Sequence, residues 1–184
     1  TITDGIGFTR SLEEQGWLIK DKKITMVGAG GASTAIMVQL ALDGVKEIIV
    51  YNRTMRTEFQ EIINNTIIET GCTITLKSLS DLESLKKDMH SSYLFINTTG
   101  VGMEPMLERS VVPDASYFKP DLKVADIIYQ PAVTKMLRLA KEAGCATMNG
   151  ELMLLYQGVE SFKIWTGQEM PINEVKKVLG IEVK

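Results

Sequence analysis

The sequence predicts an α/β fold: a doubly wound, Rossmann-like parallel sheet of about six strands in the order 3-2-1-4-5-6, with helices on both faces. Three observations predict it. A glycine-rich turn, Val27-Gly28-Ala29-Gly30-Gly31-Ala32-Ser33, joins an apolar run to a helix-like run. Short apolar stretches then alternate with longer stretches of three-and-four apolar spacing, which read as strands alternating with helices. Right-handed crossovers between parallel strands leave few topologies for such a pattern.

The elements follow in order. Asp4 stands where it can cap a helix starting near Ile6. Residues 23–27 are apolar and read as a buried strand, and 34–42 as the helix after the glycine turn. Residues 47–51 read as a second strand. Residues 55–70 carry Phe59, Ile62, Ile63 and Ile67 at helical spacing, and Gly71 stops that helix. Residues 72–76 alternate like an outer strand. Ser80-Asp81-Leu82-Glu83 caps a short helix reaching Met89. Residues 93–96 and 124–129 are further strands, 133–143 a helix ended by Gly144, and 146–148 a short last strand. Two helices near 150–165 and 172–179 complete the chain. No internal repeat, low-complexity tract or linker interrupts it.

Composition excludes several function classes. The 184 residues make one domain with a real core. The net charge of -3 gives no basic excess for nucleic acid. No apolar run reaches membrane-spanning length, and no signal peptide is expected. Cys72 and Cys145 lie far apart without metal-type spacing, so free buried thiols, a reducing cytoplasm and no metal are expected. His90 ends a polar helix, where a cation or a plain surface residue belongs.

The glycine turn carries the chemistry. Gly28 permits the tight turn and Gly30 lets backbone approach a pyrophosphate, whose charge the first free N–H groups of the helix can hold. Ala29, Gly31 and Ala32 complete the loop, and Ser33 is small enough to stand where a third glycine is usual. A NAD site usually places a carboxylate at the end of the second strand. Here the chain reads Asn52-Arg53-Thr54-Met55-Arg56. Guanidinium groups suit a 2′-phosphate, and cations are unfavourable at a helix start unless something else needs them. Thr54 can add a hydroxyl and cap the helix. NADP is therefore the expected cofactor, with NAD the alternative.

Several segments in order resemble the cofactor domain of the shikimate and quinate/shikimate dehydrogenase family. They are Thr3-Asp4-Gly5-Ile6-Gly7-Phe8, Gly28-Ala29-Gly30-Gly31-Ala32, Asn52-Arg53-Thr54 and Asn97-Thr98-Thr99-Gly100-Val101-Gly102-Met103. Asp126-Ile127-Ile128-Tyr129-Gln130-Pro131, Met153-Leu154-Leu155-Tyr156-Gln157 and Trp165-Thr166-Gly167 continue the match over essentially the whole chain. Glutamyl-tRNA reductases share the glycine loop and Asn-Arg-Thr, but not the opening Thr-Asp-Gly or the late Gln.

The resemblance implies roles. Asp4 matches a catalytic aspartate that bonds the reacting hydroxyl and pairs with a lysine. Gln157 and Tyr129 match substrate-contacting residues, and Gly150 and Met153 match positions lining the nicotinamide. Thr98, Thr99 and Val101 lie on the loop after the fourth strand, at the sheet edge where such folds bind ligands. The implied reaction is NADPH-dependent reduction of 3-dehydroshikimate to shikimate, or the same chemistry on quinate. Two departures stand out: Ile2 replaces an Asn, and Leu152 replaces a common glycine. The family's lysine belongs to a preceding domain, so this chain reads as the cofactor half, expected to bind NADP(H) and turn over poorly alone. A non-catalytic NADP-binding module is the reading from another class, and association into a homodimer is left open.

Overall fold

The computed structural model describes residues 3–181; Thr1 and Ile2, with the replacement noted at Ile2, lie outside them. The strands are β1 (Lys23–Val27), β2 (Glu47–Asn52), β3 (Thr73–Ser78), β4 (Leu94–Asn97), β5 (Lys123–Asp126) and β6 (Ala146–Met148). All pair in parallel, in the order β3-β2-β1-β4-β5-β6 that the sequence predicts. The helices are α1 (Asp4–Glu14), α2 (Gly31–Leu42), α3 (Thr57–Thr70), α4 (Leu82–Ser91), α5 (Lys135–Glu142), α6 (Glu151–Thr166) and α7 (Ile172–Leu179).

Strand alternation builds two cores, one on each face. Ile24, Met26, Ile48, Val50, Leu94 and Ile96 point into the first, against Phe8, Ile36, Met37, Leu40, Phe59 and Ile63 of α1, α2 and α3. Ile49, Tyr51, Phe95 and Val124 point into the second, against Leu85, Met89, Met136 and Leu137 of α4 and α5. A period of two on a sheet covered on both sides gives this division. Cys72 lies in the first core and Cys145 in the second, both free and buried. Burial pushes each thiol up to about 11. No helix among the described residues is long and apolar enough to cross a membrane.

Helix ends follow the expected chemistry in most places. The Asp81 side chain accepts from Ser84 N at 3.0 Å, and Thr134 Oγ1 accepts from Leu137 N at 3.3 Å. Gly71 ends α3 at φ 71°. Several boundaries differ from expectation, four of them in ways that bear on the site. First, α1 begins at Asp4 itself, so Asp4 is its first residue and not a cap before Ile6. Second, α3 begins at Thr57, and Thr54 does not cap it; the Thr54 carbonyl accepts from Asn52 Nδ2 at 2.7 Å, folding the turn back on β2. Third, β5 stops at Asp126, which leaves Tyr129 in the loop beyond the strand. Fourth, α5 starts at Lys135, after the Thr134 cap. Between β4 and β5, residues 98–122 form a long connection with a short 3-10 turn at Ala115–Tyr117; its Val111, Val112, Phe118 and Leu122 fill the second core.

Candidate functional site

The glycine turn after β1 has the geometry its sequence requires. Gly28 adopts φ 123°, and a Cβ there would collide with Thr98 Oγ1. That hydroxyl donates to Val27 O at 2.7 Å, locking the β4 edge to the turn. Ser33 is fully buried and donates to Gly28 O at 2.6 Å, so the serine closes the loop as well as fitting beneath it. Gly30 and Gly31 face open space. Gly30 caps α2, whose first-turn N–H groups point out of the helix end.

A groove of about 850 Å³ runs along the carboxyl edge from this turn. Of the sequence-predicted residues, Gly28, Ala29, Gly30, Asn52, Arg53, Arg56, Thr98, Thr99 and Val101 line it. An adjoining hollow is lined by Ala29, Gly30, Gly31 and Arg56. Ala32 and Thr54 line neither. Sequence reasoning missed Arg109 and Lys135, which also line the groove. Arg53, Arg56, Arg109 and Lys135 make no side-chain hydrogen bond or ion pair among the described residues. The one carboxylate on the lining, Glu108, is bonded to Arg138 at 2.8 Å.

The loop beyond β4 is pinned from beneath by a buried acid. Asp126 accepts from Asn97 Nδ2 (3.1 Å), Ile128 N (3.1 Å) and Thr134 Oγ1 (2.7 Å). Burial pushes its carboxyl up to about 6, against the pull of these donors. Asn97 Oδ1 in turn accepts from Thr99 N and Oγ1 at 3.1 and 2.7 Å. One carboxyl thus fixes the loop of Thr99, the start of the Tyr129 loop and the cap of α5. An acid inside the apolar run at 124–129 was the available signal for it.

Asp4 and Gln157 meet. Gln157 Nε2 donates to Asp4 Oδ1 at 2.8 Å, joining the first turn of α1 to the second turn of α6. Two glycines allow this. A Cβ on Gly5 would lie 2.5 Å from Ala35 O of α2, and one on Gly7 would lie 2.9 Å from Gln157 N and Met153 O of α6. So α1 is wedged between two helices through opposite bare faces. Lower down, Tyr156 Oη donates to Glu14 Oε2 at 2.6 Å and Lys176 Nζ to Glu14 Oε1 at 2.7 Å. Arg10 lies 4.5 Å over the Tyr156 ring and pairs with Glu160. These contacts tie α1, α6 and α7 together beneath the Asp4–Gln157 pair.

The remaining predicted residues sit apart from the groove. Tyr129 is half exposed in the loop after β5. Gly150 donates to Ile128 O at 2.9 Å, and a Cβ there would collide with Ile127 O, so this glycine serves the close approach of α6 to the Tyr129 loop. Met153 is 4% exposed and packs in the first core, and Leu152 is buried beside it.

Comparison with known proteins adds the family. The family model described as Shikimate / quinate 5-dehydrogenase matches residues 11–137, and that described as Shikimate 5'-dehydrogenase C-terminal domain matches residues 150–179. The chain belongs to the shikimate/quinate 5-dehydrogenase family. It is 44% identical to the shikimate dehydrogenase (NADP(+)) of Listeria innocua over 182 residues, 97% of this chain and 62% of that protein. The crystal structure of shikimate 5-dehydrogenase from Listeria monocytogenes, in complex with shikimate and NAD, superposes with a TM-score of 0.92 at 44% identity, covering 97% of this chain and 62% of that one. Quinate dehydrogenase from Corynebacterium glutamicum, in complex with NAD, gives a TM-score of 0.84 at 25% identity with the same coverage. The chain therefore spans 62% of the length of these dehydrogenases.

Proposed function

We propose that this chain is the cofactor-binding half of an NADP-dependent shikimate dehydrogenase, which reversibly reduces 3-dehydroshikimate to shikimate in the cytoplasm. The observation that carries the cofactor is the groove: an open glycine turn at a helix start, with Arg53 and Arg56 unpaired at the end of β2 where a NAD site would hold a carboxylate. The residues present fit a dinucleotide with a 2′-phosphate. Gly28 to Ala32 would hold the diphosphate, with Ala29, Gly30 and Gly31 nearest it. Asn52, Arg53, Thr54 and Arg56 would hold the adenosine end. Thr98, Thr99 and Val101 would border the nicotinamide; Gly150 and Met153, which the resemblance also assigns there, lie off the groove, against the Tyr129 loop and in the first core.

When bound, the cofactor supplies a hydride at nicotinamide C4. The chain's own residues do the rest. Gln157 fixes one oxygen of Asp4, leaving Oδ2 to accept from the substrate hydroxyl. Tyr129 and Gln157 hold the ring, and Asp4 orients the reacting oxygen. The proton that balances hydride transfer needs the lysine that the family pairs with this aspartate. Among the described residues no lysine is bonded or ion-paired to Asp4, whose side-chain partner is Gln157, so we infer that the chain alone binds cofactor and turns over at least about 10²-fold more slowly than the full-length enzyme.

Titration with NADPH and, in parallel, NADH tests the cofactor. Saturable binding with NADPH tighter is expected; equal binding of both sinks the 2′-phosphate assignment. Asp4→Asn in the full-length protein tests the site. Shikimate oxidation with NADP should fall steeply, and near-normal turnover overturns the role of Asp4. Similarity to a quinate dehydrogenase favours quinate as the second substrate to assay.

A further inference from the structure

The family resemblance leaves two groove cations without a role, Arg109 and Lys135, and of these Lys135 is the one rooted at a helix start. It is the first residue of α5, where the helix dipole disfavours a positive charge. Its stem is half-buried and rooted on Thr134, which is fully buried and bonded to Asp126 at 2.7 Å. It has no anionic partner among the described residues, and the nearby groove carboxylate Glu108 is taken by Arg138. A lysine rooted at a helix start beside a fixed cap, on the wall of a groove and without a counter-ion, is an anion contact awaiting its anion.

The sheet order says which anion. Arg53 and Arg56 follow β2, the glycine turn follows β1, and Lys135 stands beyond β5. From β2 to β5 is three strand spacings, roughly 14 Å. Lys135 is therefore across the glycine turn from the arginines, against the loop after β4: a Cβ on Gly102 of that loop would lie 3.2 Å from Thr134 Cβ. Lys135 lines the same groove as Gly28, Ala29 and Gly30, so from that wall it faces a diphosphate lying over the turn.

We propose that Lys135 contacts the diphosphate common to NADP(H) and NAD(H), so that it sets affinity for both cofactors without setting the preference between them. This rests on the dinucleotide reading of the groove given above. The test is Lys135→Met in this chain, titrated with NADPH and with NADH at two salt concentrations, alongside Arg53→Gln and Lys135→Arg. Lys135→Met should weaken both cofactors by the same factor, about tenfold, leave their ratio unchanged and flatten the salt dependence. Lys135→Arg should retain most of the affinity, and Arg53→Gln should change the ratio. If Lys135→Met binds both cofactors as the parent does, or weakens NADPH alone, the proposal is overturned while the cofactor reading stands. If the parent chain binds neither cofactor, both fall together. An unchanged unfolding midpoint separates a lost contact from a lost fold.

Discussion

Lys176 and Lys135 are both lysines on eight-residue helices, and they are placed in opposite ways. Lys176, in α7, is 6% exposed and bonded to Glu14, which also holds Tyr156, while Arg10 covers the Tyr156 ring. Lys135, in α5, borders the groove with Arg53, Arg56 and Arg109 and has no partner. In the first region every charge is answered within the chain, because buried charge without a partner is costly. In the second the charges are left unanswered at an exposed edge, where solvation keeps them cheap until, on the proposed reading, a ligand brings phosphate. Satisfaction of charge separates the part of this molecule that holds shape from the part proposed to meet a ligand.

Four changes break or sharpen that contrast. The largest is Lys176→Met, which removes the cation from Glu14 and leaves its buried charge answered by the neutral Tyr156 hydroxyl; stability to urea should fall by about 4 kcal/mol. Asp126 lies between the two regimes, since it is buried but answered only by neutral donors. Its carboxyl titrates at about 6 in the fold, and near 3.9 in an unfolded chain. The folded chain holds that proton more tightly, so the stabilisation is whole below about pH 4 and lost as pH rises through about 6. Parent stability minus that of Asp126→Asn should accordingly drop by about 2.3 kcal/mol from pH 4 to pH 7, measured by denaturant melts at each pH.

Gly7→Ala comes next. Its methyl meets Gln157 and Met153 backbone, and about 2 kcal/mol should be lost as α1 moves off α6. The same change should cost the full-length enzyme kcat more than cofactor binding, because Asp4 and Gln157 part while the groove stays. The smallest effect belongs to Arg53→Gln with Arg56→Gln. Unfolding free energy should stay within about 0.5 kcal/mol of the parent. A larger loss would mean that these arginines carry structure and that the contrast with Lys176 is false.

Much of this was legible in the residues. The strand at 23–27, the glycine turn and the strand order follow from apolar runs and crossover handedness, which act locally or through simple geometry. Gly71 and Asp81 marked helix ends because one residue's conformation or side chain decides them. Residues 98–122 were opaque: Val111, Val112 and Phe118 lack a period and are placed by the second core, not by local preference. Thr54 misled because a hydroxyl near a helix start reads as a cap, yet α3 begins at Thr57, with Arg56 at the cap position, and Thr54 lies in the turn before it. Asp4 with Gln157 was legible only by resemblance, since no local pattern joins residues 153 positions apart. Lys135 could have been found by the argument applied to Arg53 and Arg56: Thr134 is a cap-forming residue, and a cation directly after it runs against the helix dipole.

The two thiols lie on opposite sides of the sheet, Cys72 in one core and Cys145 in the other, each held protonated at neutral pH. An alkylating reagent can reach neither until its own layer opens. Mass spectrometry of partly labelled chain therefore reads two clocks in one sample. Equal labelling rates mean that the layers part from the sheet in a single event; unequal rates name the layer that leaves first, with no introduced probe.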